Sequence, residues 1–501
     1  MHSREEAWEL LARPLDVLVI GGGITGAGVL LEASRRGLRA ALVERGDFAG
    51  GTSSRSSKLV HGGLRYLRQG NLRLTREAVH ERETLLREAP GLVEPMPFIM
   101  PQYKRSKPGR IVVQLALSLY DALAGQKRHG YLDAQRTLQE EPEIARDGLL
   151  GAHTFYDATT DDARLVMRLL SEAQRCGGAS MNYAESLAIE REGGRVTAAI
   201  VRDLIGDRQR RVRTRAIVNA TGVFAGVRNM RPLRGSHLVL ERERLPLRHA
   251  VAFAHPADRR PVFAYPWLGV TLVGTTDLDH REDLREEPAI SSEELRYLLA
   301  ALAAQFPQAR ISRNDVVSTF AGLRPVIGTG AKPSSESRES VLIEEQGVTT
   351  TTGGKLTTFR PMALQALRAA GKRAKLQIDM RAQPIFAPAH ATPFARLNGR
   401  YGPFASEVLE HSQGGDLENV PGTNTTWAEL RYALHAECVV HLDDLLLRRT
   451  RLGLQLRKGG EEIFPRVRAL CSDELGWNDA AWRREADAYS ERIRLHYGVP
   501  A

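Results

Sequence analysis

The sequence predicts an α/β protein in which a parallel sheet with crossover helices is joined to a second, antiparallel sheet and followed by helices. Three observations predict this class. A strand, helix, strand pattern occupies residues 16–44, short apolar strands cluster over residues 237–276, and residues 400–501 are mostly helical in pattern. Two parallel strands need a crossover helix, whereas clustered short strands favour antiparallel pairing.

The first βαβ unit carries a glycine pattern. Residues 16–20 form a short apolar run that reads as a buried parallel strand, and G-x-G-x-x-G follows it at Gly21, Gly23 and Gly26. Glycines there let the backbone approach a pyrophosphate, and the next helix presents its N-terminus to the phosphates. Glu44 ends the second strand, where a carboxylate accepts hydrogen bonds from ribose. The pattern predicts a dinucleotide site; a glycine turn used only for packing is the alternative.

Two further glycine turns indicate which dinucleotide is bound. Asn219-Ala220-Thr221-Gly222 ends a later strand, and Gly353-Gly354-Lys355 leads into another helix. A reduced flavin ring carries negative charge, which a helix N-terminus and the Lys355 ammonium would stabilise. Three separated glycine turns on one sheet therefore favour an extended FAD over NAD.

The pattern predicts the other elements with less detail. We expect helices and strands in this order: helices over 74–88 and 111–124, a helix from about Asp161, a hairpin of 194–203 and 209–220, a helix over 291–306, a strand over 348–354 and a helix from about Pro361. Residues 380–400 are linker-like because three prolines fall within them.

The apolar stretch 111–124 has two readings. A core helix is the preferred one, and a helix lying on a membrane surface is the alternative. The stretch itself lacks a basic face, although Lys104-Arg105-Ser106-Lys107 and Arg110 lie just before it.

Composition excludes several classes of protein. With 501 residues, 26% charged and 42% hydrophobic, the chain is of ordinary globular type and spans about three domains. It lacks a run of ~18 apolar residues, and its polar start predicts no secretory signal. The three cysteines, Cys176, Cys438 and Cys471, are far apart, which argues against disulfides and zinc and for a reducing compartment.

The net charge leaves the partner open. Lys plus Arg total 70 against 60 for Asp plus Glu, a formal charge of +10 that favours acidic partners such as phosphate esters or anionic lipid. The basic residues are scattered, as on a solvated surface. Aromatic residues are 6% and do not interleave with a basic patch, which argues against nucleic acid.

Beyond these motifs, the chain resembles the FAD-dependent glycerol-3-phosphate dehydrogenase family over about residues 14–500. The resemblance is carried by residues 51–67 (GTSSRSSKLVHGGLRYL), 161–165 (DDARL), 235–237 (GSH), 274–277 (GTTD), 322–325 (GLRP), 353–358 (GGKLTT) and 441–450 (HLDDLLLRRT).

The resemblance implies a glutathione-reductase-like, Rossmann-type FAD-binding domain (14–100, 150–235 and 320–382), interleaved with an antiparallel β substrate domain (101–149 and 236–319) and followed by a C-terminal helical domain (390–501). It implies oxidation of sn-glycerol 3-phosphate to dihydroxyacetone phosphate, with electrons passed through FAD to membrane quinone. It implies a cytoplasmic protein that anionic lipid holds at the inner face of the cytoplasmic membrane, with a homodimer as a candidate assembly.

The same resemblance assigns candidate residues at the reacting end of the site. Arg65 and Arg324 would hold the phosphate, since guanidinium binds phosphate in a bidentate way. His61 and His237 are candidate general bases because histidine titrates near neutral pH, with His237 preferred over a purely structural histidine. Tyr66 and Asp277 would line or order the site, and Lys355 would meet flavin charge or substrate.

A larger set would contact the cofactor. No metal site is expected, and the predicted FAD contacts are Gly21, Gly22, Gly23, Gly26, Glu44, Arg45, Thr52, Ser53, Ser57, Lys58, Leu59, Gly62, Ala220, Thr221, Gly222, Gly354, Lys355, Leu356 and Thr357.

The chain departs from the family pattern at one place. Val223-Phe224 stands where Pro-Trp is usual, and only residues 223–234 separate Gly222 from Gly235. Alternative functions are an oxidase of the same substrate, which would reduce O2 to H2O2, a flavin-free binding protein, and a flavoprotein acting on nucleic acid. Oxidases of the family often carry an insertion that this sequence lacks, which favours the dehydrogenase.

Overall fold

The computed structural model describes residues 1–64, 67, 70–104, 106–328, 330, 336, 339–388 and 392–500. The candidate residues Arg65 and Tyr66 lie outside this part of the chain. Its α-helices are α1 (Arg4–Leu10), α2 (Ile24–Ser34), α3 (Leu72–Glu88), α4 (Arg110–Ala124), α5 (Ala134–Glu140), α6 (Asp162–Arg175), α7 (Ser292–Gln305), α8 (Phe359–Ala374), α9 (Ala395–Tyr401), α10 (Ala405–Glu410), α11 (Trp427–Ala436), α12 (Leu452–Gln455), α13 (Phe464–Leu475) and α14 (Asp479–Arg492), with π-helical turns at Asp444–Arg449 and Ile493–Tyr497.

The strands form two sheets. They are β1 (Leu15–Ile20), β2 (Ala40–Val43), β3 (Leu59–Val60), β4 (Val93–Tyr103), β5 (Gly130–Asp133), β6 (Leu149–Thr160), β7 (Ala179–Met181), β8 (Ala184–Glu192), β9 (Arg195–Asp203), β10 (Arg208–Asn219), β11 (Met230–Glu241), β12 (Ala250–Ala254), β13 (Pro261–Trp267), β14 (Val270–Gly274), β15 (Leu278–Asp279), β16 (Val316–Ile327), β17 (Ser340–Glu345) and β18 (Val348–Gly353).

The first sheet has the order β17-β18-β10-β1-β2-β7, and the five strands from β18 to β7 are parallel. Alternate residues of β1 enter two cores: Val17 and Val19 pack with α2, α6 and α8, whereas Leu18 packs with α1 and the β8–β9 hairpin. Both faces are covered, which is why β1 is a continuous apolar run. The predicted βαβ unit of residues 16–44 is confirmed.

The second sheet is largely antiparallel, with the order β15-β11-β14-β13-β12-β4-β6-β3; β16 pairs with β11, and β5 with β6. One face packs on α7 through Leu295, Leu298 and Leu302. The opposite face packs on the C-terminal helices. The predicted antiparallel sheet is confirmed, as are the hairpin β9–β10 and the helix α7.

The predicted domain boundaries fall inside strands. Residues 100, 150, 235 and 320 lie within β4, β6, β11 and β16, all of which belong to the second sheet. β4 and β6 pair with each other in antiparallel fashion along nearly their whole lengths, across two of these boundaries. The division into three domains stays a prediction.

The C-terminal helices are joined to the parallel sheet by buried charges. The carboxylate of Asp47, just after β2, accepts hydrogen bonds from Arg449 at 2.7 and 2.8 Å and also pairs with Arg448. The two arginines hold the pKa of the Asp47 carboxyl well below its usual value. Removing one partner from such a buried pair costs roughly 3–5 kcal/mol, so this contact fixes the helical region against the nucleotide unit.

Helix α4 corrects the preferred reading of residues 111–124. Val113, Leu117 and Tyr120 are buried as a core helix requires. Ile111 and Leu115, however, are 76% and 65% exposed, so the opposite face is apolar and open to solvent. Among the described residues, no helix combines the length and apolar character that crossing a membrane needs.

Candidate active site

The three predicted glycine turns meet at one edge of the parallel sheet. They follow β1, β10 and β18, which are neighbouring parallel strands whose carboxyl ends lie together. The Thr352 hydroxyl donates a 2.8 Å hydrogen bond to the carbonyl of Gly222, which ties the second turn to the third. This edge is where open α/β sheets bind ligands.

The first turn has the shape that a pyrophosphate requires. Gly21 has a φ of +113°, and a Cβ there would lie 2.6 Å from the Ala220 carbonyl oxygen. A Cβ on Gly26 would overlap the carbonyl of Gly21. The turn enters α2 through Gly23, which offers no side-chain cap. The Ile24 N–H donates to Ser53, and the other N–H groups of the first turn of α2 are left for a ligand. These residues fit a dinucleotide.

Glu44 is held in position by the same turn. Its carboxylate accepts hydrogen bonds from the backbone N–H groups of Gly22 (2.6 Å) and Gly46 (2.8 Å). Burial raises the pKa of the carboxyl against the effect of these bonds. A carboxylate oriented by backbone donors at this position is suited to accept ribose hydroxyls.

The loop of residues 51–58, here called the flavin loop, joins the two sheets. Ser53 Oγ accepts from the backbone N–H of Ile24 at 2.9 Å, at the N-terminus of α2. The Thr52 hydroxyl donates to Leu323 O in β16 at 2.5 Å. The predicted cofactor residues Thr52 and Ser53 thus lie between the glycine cradle and the second sheet.

Lys58 is placed differently from the predicted cofactor contact. Its ammonium is fully buried and donates to Asp162 (3.0 Å) and to Ser54 O (2.9 Å). Burial and the neighbouring charge of Arg451 lower the pKa of Lys58 to about 7, against the opposing effect of Asp162. The side chain therefore braces the flavin loop from behind.

His237, the preferred base, lies beside the flavin loop. Its Nε2 is 3.0 Å from Ser57 Oγ, and its ring stacks on Phe320 with centroids 4.6 Å apart. Gly274, opposite it on β14, leaves room for the ring because a Cβ there would overlap it. Burial, with the positive charges of Arg324 and Lys58, holds the pKa of His237 well below 6.5. The imidazole is neutral at physiological pH.

Arg324 lies on the neighbouring strand β16. Its guanidinium donates to Asp277 Oδ1 at 3.0 Å and to Thr275 Oγ1 at 2.9 Å. A Cβ on Gly235 would overlap the guanidinium, so the glycine gives it space. The predicted residues Arg324 and Asp277 are an ion pair, and the charge of Arg324 contributes, after burial, to the lowered pKa of His237.

The third glycine turn is tied to residues 59–62. The Thr357 hydroxyl accepts from the His61 backbone N–H and donates to the His61 carbonyl, both at 3.2 Å. Lys355 is half-buried just before this 3₁₀ turn, Leu356–Thr358. These bonds thus hold the segment that contains Gly354 and Lys355 next to the segment that contains His61.

Leu59 and Gly62 are packed among other side chains and do not lie at the carboxyl edge of the parallel sheet. Leu59 belongs to the core of the second sheet. Gly62 donates its N–H to Asp157 at 3.0 Å, and a Cβ there would overlap Val79 and the Tyr120 hydroxyl. Their part in cofactor binding stays a prediction, like those of the other candidate residues.

Three residues of the site were missed from sequence. Asp162 receives Lys58 and the backbone and hydroxyl of Ser56. Arg451 donates to Ser54 O at 2.6 Å from the C-terminal helices, and the Tyr265 hydroxyl donates to Ser57 O at 2.5 Å. Asp162 lies in the family motif of residues 161–165, and Arg451 directly follows the motif of residues 441–450. The resemblance could therefore have pointed to both residues.

Comparison with known proteins decides the family. A model of the family described as FAD dependent oxidoreductase matches residues 16–360. The chain belongs to this family. Residues 369–482 match a second model, described as the C-terminal domain of alpha-glycerophosphate oxidase. The protein is therefore an oxidoreductase, and its cofactor is FAD.

Curated relatives are similar over most of the chain. The aerobic glycerol-3-phosphate dehydrogenase of Bacillus subtilis is 38% identical over 71% of this chain and 66% of its own length, just under two thirds. Glycerol-3-phosphate dehydrogenase 2 of Mycobacterium tuberculosis is 34% identical over 98% of this chain and 90% of its own. The resemblance stated from sequence is confirmed.

A solved structure confirms the predicted fold class. The crystal structure of the glycerol-3-phosphate dehydrogenase from Bacillus halodurans, complexed with FAD, superposes with a TM-score of 0.78. It is 26% identical and covers 98% of this chain and 97% of its own. The flavoprotein fold with a C-terminal helical region is shared end to end.

Gly26→Ala is predicted to lose the cofactor. The added methyl group overlaps the Gly21 carbonyl and opens the cradle, so the Kd for FAD should rise at least about tenfold. Quenching of FAD fluorescence by the apoprotein measures it, with circular dichroism to show that the fold is intact.

Gly414→Ala is the matched control, because a Cβ there meets open space. A folded Gly26→Ala protein that purifies with the flavin content of the wild type would contradict the assignment of this turn.

Proposed function

We propose that this protein oxidises sn-glycerol 3-phosphate to dihydroxyacetone phosphate. The observation that carries the proposal is the pairing of a neutral, buried imidazole with a nearby guanidinium, beside the FAD cradle. His237 and Arg324 lie on neighbouring strands, and the flavin loop connects them to the glycine turns. The names of the curated relatives support the same substrate.

Arg324 binds the phosphate in this proposal. A guanidinium presents paired N–H donors that match phosphate oxygens. Asp277 and Thr275 fix the orientation of Arg324, and 19% of its side chain is exposed. Arg65 is proposed as a second phosphate ligand from the resemblance alone.

His237 takes the proton of the C2 hydroxyl at Nε2. Because its pKa is held below 6.5, the ring is unprotonated and ready to accept. Burial is the largest cause of the lowered pKa, and the positive charges come second. A bound phosphate dianion near Arg324 offsets those charges, so the pKa of His237 rises in part when substrate is present. Ser57 Oγ, 3.0 Å from Nε2, orients the ring until substrate replaces it.

A bound FAD would supply the acceptor for the hydride of C2. The residues proposed to hold it are the cradle Gly21–Gly26, Glu44, Thr52, Ser53 and the turns at Ala220–Gly222 and Gly354–Thr357. Lys355, half-buried at the last of these, brings positive charge to the end of the site where negative charge develops.

We propose membrane quinone as the electron acceptor, with O2 as the alternative. The proposal is supported by a surface that suits a membrane. Exposed apolar side chains on α4 form a stripe, here called the α4 stripe, of Ile111, Val112, Leu115 and Leu119. At 100° per residue these positions fall within an arc of about 100° along a helix some 22 Å long.

Basic residues flank both ends of the α4 stripe. Lys104 and Lys107 precede the helix, Lys127 and Arg128 follow it, and all four are exposed. An apolar stripe between cationic ends complements a bilayer with anionic headgroups. The aliphatic side chains would enter the bilayer, and the headgroups would attract the basic side chains. The occupant proposed for this surface is an anionic bilayer on the inner face of the cytoplasmic membrane.

Anaerobic titration with sn-glycerol 3-phosphate should bleach the visible flavin spectrum of the purified protein. A quinone analogue should then restore the absorbance faster than air does, because the proposed acceptor is quinone. A spectrum that the substrate leaves unchanged would remove the proposed substrate while keeping the cofactor, and faster reoxidation by air with release of peroxide would favour the oxidase.

His237→Gln should lower kcat by about 10²–10⁴-fold with FAD still bound, the range for loss of a general base. In the wild type, kcat/KM corrected for protonation of the substrate phosphate should hold its plateau below pH 6.5. Activity needs the neutral ring, and a lowered pKa moves the acidic loss to lower pH.

His80→Gln, at an exposed position on α3, is the control and should leave both measurements unchanged. An acidic limb centred at or above pH 6.5 that vanishes in His237→Gln would contradict the depressed pKa. An unchanged kcat would remove His237 from the chemistry.

The double variant Ile111→Ser/Leu115→Ser should weaken binding to phosphatidylcholine vesicles containing phosphatidylglycerol by at least about tenfold, since two buried aliphatic side chains are lost. Co-sedimentation measures it, and added salt should weaken the wild type because the headgroup attraction is screened.

Leu187→Ser/Ile205→Ser removes two equally apolar side chains, each 46% exposed on the β8–β10 region, and serves as the control. Equal binding by both double variants would show that the α4 stripe does not face the membrane.

A further inference from the structure

An aromatic ring lies exposed at the carboxyl edge of the parallel sheet. Phe224, in the 3₁₀ turn Gly222–Phe224 after β10, is 42% exposed. The Arg45 guanidinium, just after β2, lies 4.9 Å from the centre of its ring. Since β10 and β2 are the two neighbours of β1, this cation–π pair bridges the end of the strand that leads into the glycine cradle.

The turn that carries Phe224 is internally fixed. Asn219 Oδ1 accepts from the Thr221 hydroxyl at 2.7 Å, and Asn219 Nδ2 donates to Ala225 O at 3.3 Å. The Phe224 N–H donates to Thr221 O at 3.1 Å. The backbone therefore holds the ring in place although little packs around it. A turn with a fixed backbone thus carries a ring that lies against the exposed Arg45 side chain and is itself 42% exposed, an arrangement that suits a flat partner.

The position of this pair matches one part of the cofactor. The cradle at Gly21–Gly26 takes the pyrophosphate, and Glu44 takes the hydroxyls of the adenosine ribose. Adenine is attached to that ribose on the side away from the pyrophosphate. Arg45 is adjacent to Glu44 in the chain, so the purine lies within reach of Arg45 and of the Phe224 ring beside it.

We infer that Phe224 and Arg45 clamp the adenine of FAD. The purine inserts between phenyl ring and guanidinium and replaces their mutual contact with two stacking contacts. The inference deepens the proposed function and rests on it only for its cofactor. This inference gives a role to the Val223-Phe224 departure and to the short connection 223–234. β11 begins at Met230 with no helix between it and the turn, so the turn can present Phe224 to the adenine.

Binding of ADP and FAD to the apoprotein tests the clamp, because ADP probes the adenine end without the flavin. Phe224→Ala should raise both Kd values by about tenfold or more, as loss of a base–aromatic stack does. Phe224→Leu should behave alike, Phe224→Trp should retain affinity, and Arg45→Ala should also weaken both ligands. Phe394→Ala, at a ring 39% exposed elsewhere, is the control and should change neither.

An ADP affinity within about twofold of wild type in Phe224→Ala overturns the clamp. So does a loss confined to the Arg45 variants, which would place Arg45 on the phosphates alone. Failure of the proposed function would be seen separately. At saturating FAD, sn-glycerol 3-phosphate should still bleach the flavin spectrum of Phe224→Ala. A variant that binds FAD but whose spectrum is not bleached would contradict the proposed substrate and not the clamp.

Discussion

One buried carboxylate, that of Asp162, holds the flavin loop in place. It accepts from the Lys58 ammonium at 3.0 Å, from the Ser56 hydroxyl at 2.7 Å and from Arg451 at 3.3 Å. The carboxylate is inaccessible to solvent, so each donor is needed to compensate its burial. Because Asp162 begins α6, the helix that packs on α2, the loop is fixed directly to the nucleotide unit.

This constraint explains what the C-terminal helices do for the site. Arg451 enters the flavin loop from behind through Ser54 O. Tyr497 contacts Arg55 of the same loop at 3.1 Å, and both pair with Glu287. The loop is thus held from the helical region on one side, while its front face meets His237 and the cradle. A site on a braced loop keeps its geometry better than one on a free loop.

Local sequence patterns predicted the elements whose structure depends on neighbouring residues. They did not predict features that depend on residues far apart in the chain. The βαβ unit and the glycine turns follow from the spacing of their residues, whereas His237 and Arg324 were assigned through the family resemblance. Strand β4 was missed because its prolines, Pro95, Pro97 and Pro101, lack the N–H that a strand normally contributes, so its place in the sheet comes from pairing with β6. The role of Lys58 depends on Asp162, 104 residues away, which no local pattern shows.

The charge distribution connects the fold to the chemistry. Burial first, and then the positive charges of Arg324 and Lys58, lower the pKa of His237 in the free protein. In the proposed reaction, a substrate phosphate beside Arg324 would oppose the positive charges near His237, although not its burial, and would therefore raise the pKa of the ring. A neutral alcohol of the same length brings no such anion and would leave the pKa of His237 low. Under the proposed function, the site would therefore favour a phosphate ester at the proton-transfer step as well as at binding, because the anion proposed to bind Arg324 would also raise the pKa of the proposed base.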